Sequence, residues 1–229
     1  IKELCDLVKP QYGILTAVGK QHLETFGTYQ NVLSTKAELL DALTDGYAFV
    51  NGDNKDCVTI YEDCQAKEKH LFGIKGESLY LRAGDVQVTR EGSTFTLYTE
   101  DGGSARCSTK LLGRHNILNI AGAAACAYRI GLTLEEIQRG IAKVEPVEHR
   151  LQLIPGPVTV IDDAFNANPA GVRAALDVLA QFDGRRIVVT PGMIELGDEE
   201  EEQNEAFGRR LAKCADIVLL VGEIRTIPI

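Results

Sequence analysis

The last third of the sequence alternates between apolar runs and helix-like patterns, and this alternation limits the folds that are open to it. The runs are "VTVIDDA", "RRIVVTPG" and "DIVLLVG", at residues 158–164, 185–192 and 216–222. Helical patterns fill the two gaps, at Pro169–Gln181 and at about residues 199–214. Strands that are separated by helices lie parallel in one sheet, joined by right-handed crossovers. The pattern therefore predicts an α/β fold.

The first half of the sequence changes texture part-way. Three short apolar runs predict buried strands: "YGILTAV", "YAFVN" and "HLFGI". Residues 28–43 have the apolar spacing of a helix with one buried face. Residues 79–112 instead alternate apolar and polar side chains, with turn signals at "AGD", "EGS" and "DGG". This stretch predicts antiparallel hairpins with one face in water.

Helices return after the hairpins and lead to a domain boundary. The alanine-rich "NILNIAGAAACAYRIG" predicts a helix that ends at Gly131, and Thr133 with Glu136 has the spacing of a capping box. The segment "VEPVEHRLQLIPGPVTV" contains three prolines and no helical period. We place the boundary there, which gives domains at residues 1–148 and 149–229. The chain starts on Ile1 and ends just after a strand, so we expect both ends to be cut from a longer protein.

Composition and charge limit the classes of function. The 229 residues are 45% hydrophobic, which is enough for a core, and carry a net charge of −9, which argues against nucleic acid as a partner. No apolar run approaches the roughly 20 residues of a membrane span, and no signal peptide is visible. The six cysteines form no C-x-x-C pair. This cysteine usage favours a reducing compartment, so we expect a cytoplasmic protein without membrane insertion.

Two basic side chains follow the first predicted strand. The loop "GKQHLETFG" lies at the carboxyl edge of the sheet, where ligands bind in α/β folds, so His22 is a candidate for a metal or a phosphate. Lys36 lies on the next helix and could become a metal ligand if its amine were carbamylated. The structural alternatives are a surface histidine and a solvated lysine.

Two asparagines open the alanine-rich helix. Asn116 suits an N-cap position, and Asn119 lies one turn further on the same face. An amide carries both a donor and an acceptor, which suits the edge of a purine base. Capping explains Asn116 and explains Asn119 less well.

Polar residues also surround the domain boundary and the strand end that follows it. Arg150 lies in the hinge and suits a phosphate or a carboxylate, or an interdomain ion pair. Asp162 and Asp163 end the strand and could hold a ribose hydroxyl or a magnesium-bound water. Asn168 before Pro169 has the pattern of an N-cap followed by a first helical residue.

In this order the clusters resemble the Mur ligases, the ATP-dependent amide-forming enzymes of peptidoglycan precursor synthesis. The stretches that carry the resemblance are "LTAVGKQHLETFG", "TKAELLDAL", "VNGDN", "LLGRHNILNIAGAAACA", "EHRLQ", "VIDDAFNANP" and "GMIELG". The form "DDAFNANP" with "ELG" downstream resembles the MurF type, which adds D-alanyl-D-alanine to UDP-N-acetylmuramoyl-tripeptide. The resemblance implies a partial central ATPase domain, with a parallel sheet plus antiparallel hairpins, and then an incomplete Rossmann-like C-terminal ligase domain.

The resemblance also implies roles for individual residues. It implies that His22 and a carbamylated Lys36 hold Mg²⁺ and serve the chemistry, and that Asn116 and Asn119 contact the adenine of ATP. It implies that Arg150 reaches the nucleotide and that Asp163 lies near the ribose. It gives Asn166 and Asn168 a less defined role in closing the site. The implied substrates are small molecules, and we expect a monomer.

The departures from the family pattern limit this prediction. Phe165 stands where we expect Tyr, and Asn204 stands where many relatives have His. No phosphate-binding P-loop motif occurs in the sequence, so we expect this chain alone to be inactive or nearly so. The alternatives are a related ligase, such as a folylpolyglutamate synthase or a cyanophycin-synthetase-like protein, and a non-catalytic binding module.

Overall fold

The fold was analysed in a computed structural model, which describes residues 1–20, 22–224 and 226–229. Its helices are α1 (Lys2–Val8), α2 (Leu23–Phe26), α3 (Tyr29–Asp41), α4 (Lys55–Asp63), α5 (Arg114–Arg129), α6 (Leu134–Ile141), α7 (Pro169–Leu179) and α8 (Glu200–Cys214). Its strands are β1 (Tyr12–Leu15), β2 (Tyr47–Asn51), β3 (Glu68–Gly73), β4 (Leu81–Thr89), β5 (Gly92–Thr99), β6 (Ser104–Thr109), β7 (Gln152–Ile154), β8 (Val160–Asp162), β9 (Ile187–Thr190) and β10 (Ile217–Leu220). No helix in these ranges is both long and apolar enough to cross a membrane.

A six-stranded sheet organises the first part of the chain, in the order β1-β2-β3-β4-β5-β6. The pairs from β1 to β4 are parallel, and β4, β5 and β6 are antiparallel. This confirms the predicted change from parallel strands to hairpins. Successive side chains of β2 point to opposite faces of the sheet. Phe49 packs under α5, and Val50 packs under α3 and α4. The sheet is therefore covered by helices on both faces.

One of the three predicted hairpin turns is wrong. "EGS" and "DGG" do separate strands, but "AGD" lies inside β4. The pairing of β4 with β5 shifts between Gly84 and Gln87, which is a β-bulge. Asp85 takes a left-handed backbone conformation there (φ 51°), and its Oδ2 accepts a hydrogen bond from the Tyr98 hydroxyl at 2.6 Å. The residues that predicted a turn form a bulge instead, and β4 continues beyond them.

The helix-end signals are mostly confirmed. Thr133 and Glu136 form both bonds of the capping box. Gly131 (φ 101°) follows the C-cap of α5, and its N–H bonds to the carbonyl of Tyr128. Asn168 caps α7, with Oδ1 accepting from the backbone N–H of Gly171 at 2.9 Å. Helices α1, α2 and α4 are additional to the predicted ones, although α4 has an N-cap residue, Asn54, whose Oδ1 accepts the backbone N–H of Cys57 at 2.9 Å.

Asn116 is not an N-cap, which corrects the prediction. Helix α5 begins earlier, at Arg114, after Gly113 with φ 85°. A glycine tolerates this conformation, so the chain turns into the helix before Asn116 is reached. Asn116 is then the third helical residue, and its Nδ2 donates to the carbonyl oxygen of Leu112 at 2.8 Å.

In the C-terminal part the last two strands form the predicted parallel pair, but β8 does not join them in one sheet among the described residues. β9 and β10 are parallel, with Ile187 opposite Ile217. β8 instead pairs antiparallel with β7, with Leu153 opposite Ile161, and no pairing of β8 with β9 occurs among the described residues. The proline-containing segment 155–159 returns the chain on itself, which gives β8 a neighbour that is close in sequence.

Helix α5 runs antiparallel to strands β2 and β3, and this direction decides where its first turn lies. Its last residue, Arg129, makes paired hydrogen bonds to Glu68 at the start of β3, with Nη2 2.8 Å from Oε1. The same guanidinium lies 4.6 Å from the ring centroid of Tyr47, at the start of β2. The opposite end of α5, with Asn116 and Asn119, therefore lies at the carboxyl edge of the sheet.

Candidate active site

The hinge between the two parts of the chain is held by the end of β8. Asp163 Oδ1 accepts the backbone N–H of Leu151 at 3.0 Å, and Asp162 Oδ2 lies 2.7 Å from Nδ1 of His149. His149 and Leu151 both have left-handed backbones, with φ of 62° and 50°. Such conformations cost non-glycine residues about 1 kcal/mol or more each, so the surrounding contacts must hold them. The two adjacent acids hold these two residues, because Asp162 bonds to the His149 side chain and Asp163 bonds to the backbone of Leu151.

Arg150 lies between these two clamped residues. Its guanidinium is exposed, and its Cζ stacks 3.9 Å above the ring centroid of Phe165. The backbone N–H of Phe165 donates to the carbonyl of His149 at 3.2 Å, which closes the same turn. Stacking on an aromatic ring leaves the guanidinium donors free for an anion. Phe165 supplies this surface where a Tyr was expected.

The two carboxylic acids have opposite electrostatic surroundings. Burial raises the pKa of Asp163, and the hydrogen bond from Leu151 and the charge of Arg150 only partly oppose it. The hydrogen bond from His149 lowers the pKa of Asp162. Asp163 is thus the acid that holds a proton more readily than usual, next to a free guanidinium.

The hinge packs against the start of α5. Leu112, Leu151 and Val178 are buried together in one apolar cluster. This cluster joins the hinge, the segment before α5 and helix α7. Asn116 is half-buried beside it, because its side chain bonds to the carbonyl of Leu112. Asn119 is exposed, and none of the hydrogen bonds among the described residues involves its side chain.

His22 makes a contact across the two parts of the chain that the sequence analysis missed. Its Nδ1 bonds to Oε2 of Glu195, in the loop after β9. The carbonyl of Glu195 also accepts the backbone N–H of Leu23 at 3.0 Å. Beside them, Nζ of Lys20 lies 2.8 Å from Glu199. The "ELG" motif was the available signal, but nothing in a sequence pairs a loop with another loop 173 residues away.

The loop that carries Glu195 is fixed by a buried amide. Asn204 is 1% exposed, and its Oδ1 accepts the backbone N–H of Met193 at 2.8 Å. Its Nδ2 donates to the carbonyls of Met193 at 2.9 Å and of Glu200 at 3.0 Å. A buried amide with all of these bonds made holds the backbone in one position. Asn204, where the sequence departs from the family pattern, therefore stabilises the structure of this loop.

The remaining predicted site residues are not brought into contact. Lys36 lies half-buried on α3, and Asn166 lies half-buried after β8. Neither side chain has a hydrogen bond or an ion pair with the residues that the structure describes. No group of three or more His, Cys, Asp or Glu side chains that could hold a metal occurs within the described ranges.

Two family models match the chain. The first, described as the Mur ligase middle domain, matches residues 2–127, and the second, the Mur ligase glutamate ligase domain, matches residues 149–228. The chain belongs to the Mur ligase family. This confirms the resemblance on which the sequence analysis rested.

The relatives of this Mur ligase chain indicate which type of Mur ligase it resembles. It is 34% identical over 223 residues to the UDP-N-acetylmuramoyl-tripeptide--D-alanyl-D-alanine ligase of Escherichia coli, covering 95% of this chain and 49% of the relative. It is 28% identical over 210 residues to the ligase of the same name from Bacillus subtilis, covering 90% and 44%. The chain thus spans about half the length of these relatives. The resemblance to the MurF type is confirmed.

Solved structures agree with this assignment. The Mur ligase chain is similar to a crystal structure of MurF from Acinetobacter baumannii, with a TM-score of 0.87 and 30% identity over 97% of this chain and 49% of that one. A MurF ligase from Thermotoga maritima in complex with ADP has a TM-score of 0.86 at 22% identity, over 100% of this chain and 53% of that one. The second likeness shows the fold alone. The predicted α/β ligase fold is confirmed.

Asp162→Asn and Asp163→Asn should change the pH dependence of stability in opposite directions. The folded protein holds the Asp163 proton more tightly than the unfolded chain does, so this group makes the free energy of unfolding fall as pH rises from about 3.9 through its raised pKa. Asp162 makes the free energy of unfolding rise with pH over the range below its ordinary pKa. Urea unfolding between pH 2 and 7 measures both slopes. Variant curves parallel to that of the unchanged protein would contradict these assignments.

Asn204→Ala should lower the free energy of unfolding by about 2–4 kcal/mol, because it leaves the buried N–H and carbonyl of Met193 without partners. Gln203→Ala is the matched control on the same helix. The Gln203 amide makes only a 3.4 Å contact with Glu199, so we expect a change within about 0.5 kcal/mol. Denaturant unfolding measures both variants. Equal effects would show that Asn204 does not fix the loop.

Proposed function

We propose that this chain is the nucleotide-facing half of an ATP-dependent ligase that adds D-alanyl-D-alanine to UDP-N-acetylmuramoyl-tripeptide. The observation that carries the proposal is the likeness of nearly the whole chain to ligases of that name. We place the boundary between its central and C-terminal domains at residues 148 and 149. We further propose a cytoplasmic monomer, in keeping with six free cysteines. Its substrates are small molecules.

ATP is proposed to bind where the hinge meets the start of α5. The exposed amide of Asn119 and the half-buried amide of Asn116 suit the adenine edge. The free guanidinium of Arg150 suits a phosphate or the ribose end of the nucleotide, and Asp163 lies beside it. The side chain of Asn166 has no hydrogen bond to the described residues, so it is available to the ligand from the same strand end. Asn168 is used as a helix cap, so its part is to hold the turn that carries Asn166.

The donors on this chain fit part of a magnesium site. Mg²⁺ keeps several waters and takes one or two protein carboxylates together with substrate phosphates. His22 offers Nε2, which no described residue bonds, and Lys36, once its amine has added CO₂ and lost a proton, offers carbamate oxygens. The His22 side chain is 46% exposed, and Lys36 makes no ion pair with the described residues. A bound Mg²⁺ would neutralise the charge on the phosphates.

The reaction proceeds through an acyl phosphate. The tripeptide carboxylate takes the terminal phosphoryl group of ATP, and ADP leaves. The amine of D-alanyl-D-alanine then attacks the acyl carbon, inorganic phosphate leaves, and the new amide loses a proton. Positioning and cationic charge supply most of the rate in such transfers. The part played by this chain is to orient the nucleotide through Asn116, Asn119 and Arg150.

Lys36→Ala should reduce ligase activity in the protein expressed from its complete reading frame. We expect kcat/KM to fall by about 10²–10³-fold, which is typical for the loss of one group that stabilises developing charge. Added short-chain carboxylates should restore part of the activity, because they can replace a carbamate. ADP release that depends on all three substrates is the measurement.

Lys55→Ala is the control, since Lys55 is an exposed lysine on α4. It should leave kcat/KM unchanged. Full activity of Lys36→Ala would exclude the carbamate role. ADP release that does not depend on D-alanyl-D-alanine would exclude the proposed ligase. Residues 1–229 assayed alone should show almost no turnover, because the sequence has no P-loop.

A further inference from the structure

Glu195 holds the loop after β1 with both its side chain and its backbone. Its carboxylate bonds to Nδ1 of His22, and its carbonyl accepts the backbone N–H of Leu23 at 3.0 Å. Two bonds from one residue to two successive residues fix the direction of the imidazole as well as its distance. The contact is therefore more than the pairing of two surface charges.

Both partners have a backbone conformation that is rare for their residue types. His22 has φ 53° and Glu195 has φ 64°, and neither is a glycine. Such conformations persist where the surrounding structure over-determines them, and they cluster at functional sites. For Glu195 the surroundings are the buried side chains of Met193 and Leu196 and the Asn204 amide. The loop thus presents Glu195 rigidly, although its side chain is 47% exposed.

The contact determines which ring nitrogen of His22 is free. A carboxylate at Nδ1 accepts a hydrogen bond, so the neutral imidazole carries its proton on Nδ1 and has a lone pair on Nε2. No described residue bonds to Nε2, and the side chain is 46% exposed. Histidines that bind metals characteristically donate their other ring N–H to a carboxylate or a carbonyl, which fixes the tautomer and the ring orientation. His22 has this arrangement.

We propose that Glu195 is a positioning residue for His22, which keeps the proton on Nδ1 and presents Nε2 to a divalent cation. This inference rests on the proposed function for the cation itself. Glu195 belongs to the C-terminal domain and His22 to the central domain. The cation site is thus complete only while the loop after β9 lies against the loop after β1. Domain closure and cation binding are linked through this one carboxylate.

The tautomer of His22 tests the positioning role without any cation. Side-chain ¹⁵N NMR of the 229-residue chain, at a pH where the imidazole is neutral, distinguishes Nδ1–H from Nε2–H. We expect Nδ1–H in the unchanged protein and in Glu195→Gln, whose amide oxygen can still accept the bond. We expect Glu195→Ala to move the proton to Nε2, the usual position in free histidine. Glu199→Ala, which removes the neighbouring contact to Lys20, should change nothing. Nε2–H in the unchanged protein would overturn the proposal.

The cation role is tested with Mn²⁺ as a paramagnetic probe of the His22 ring signals. We expect Mn²⁺ to broaden these signals and Glu195→Ala to weaken its binding about 10- to 100-fold, the usual effect of losing such a partner. Glu195→Gln should retain most of the affinity. Broadening that is unaffected by Glu195→Ala would overturn the proposal. A correct tautomer with no broadening at all would instead remove the cation role of His22 from the proposed function.

Discussion

The hydrogen bond from the backbone N–H of Leu151 to Asp163 ties the hinge to the end of β8. Because of this bond, Leu151 remains in a left-handed conformation and its side chain enters the cluster with Leu112 and Val178. The start of α5 is thereby placed next to the hinge. Arg150 is left stacked on Phe165 with its donors outward. The candidate nucleotide site depends on this one turn of chain.

A second contact zone lies at the loops after β1 and β9. There Glu195 bonds to His22 and Leu23, and Lys20 bonds to Glu199. The hinge connects the two parts covalently, and this zone is a second contact between them. Surface ion pairs contribute little to stability on their own, so the zone depends on the backbone bond from Leu23 to Glu195 and on the loop that presents Glu195. The buried Asn204 amide keeps that loop rigid.

The sequence predicted the elements whose cause is local. Hydrophobic alternation gave the change from parallel strands to hairpins, and cap chemistry gave the ends of α5, α6 and α7. Asn116 was misplaced because a glycine in an unusual conformation can start a helix without a side-chain cap. The turn prediction at "AGD" is wrong because these residues form part of a β-bulge.

The candidate site was harder to predict, because its contacts join distant segments. The order of the motifs identified the family, and the residues around the hinge followed from it. The bond between His22 and Glu195 depends on how two loops meet in space, and no periodicity or spacing encodes that. Asp162 and Asp163 were interpreted as ligand-binding acids, and the structure shows that each also holds the hinge.

Amide hydrogen exchange of Leu23 and Leu151 in the 229-residue chain tests the central claim, that the hinge turn and the contact between the loops after β1 and β9 are both formed. The Leu23 N–H is donated to Glu195, and the Leu151 N–H to Asp163. Leu151 lies outside the helices and strands. Leu23 is the first residue of α2, and its N–H has no partner within that helix. The account predicts that both amides exchange far more slowly than those of an unstructured chain. Exchange of Leu23 at the unstructured rate would contradict it.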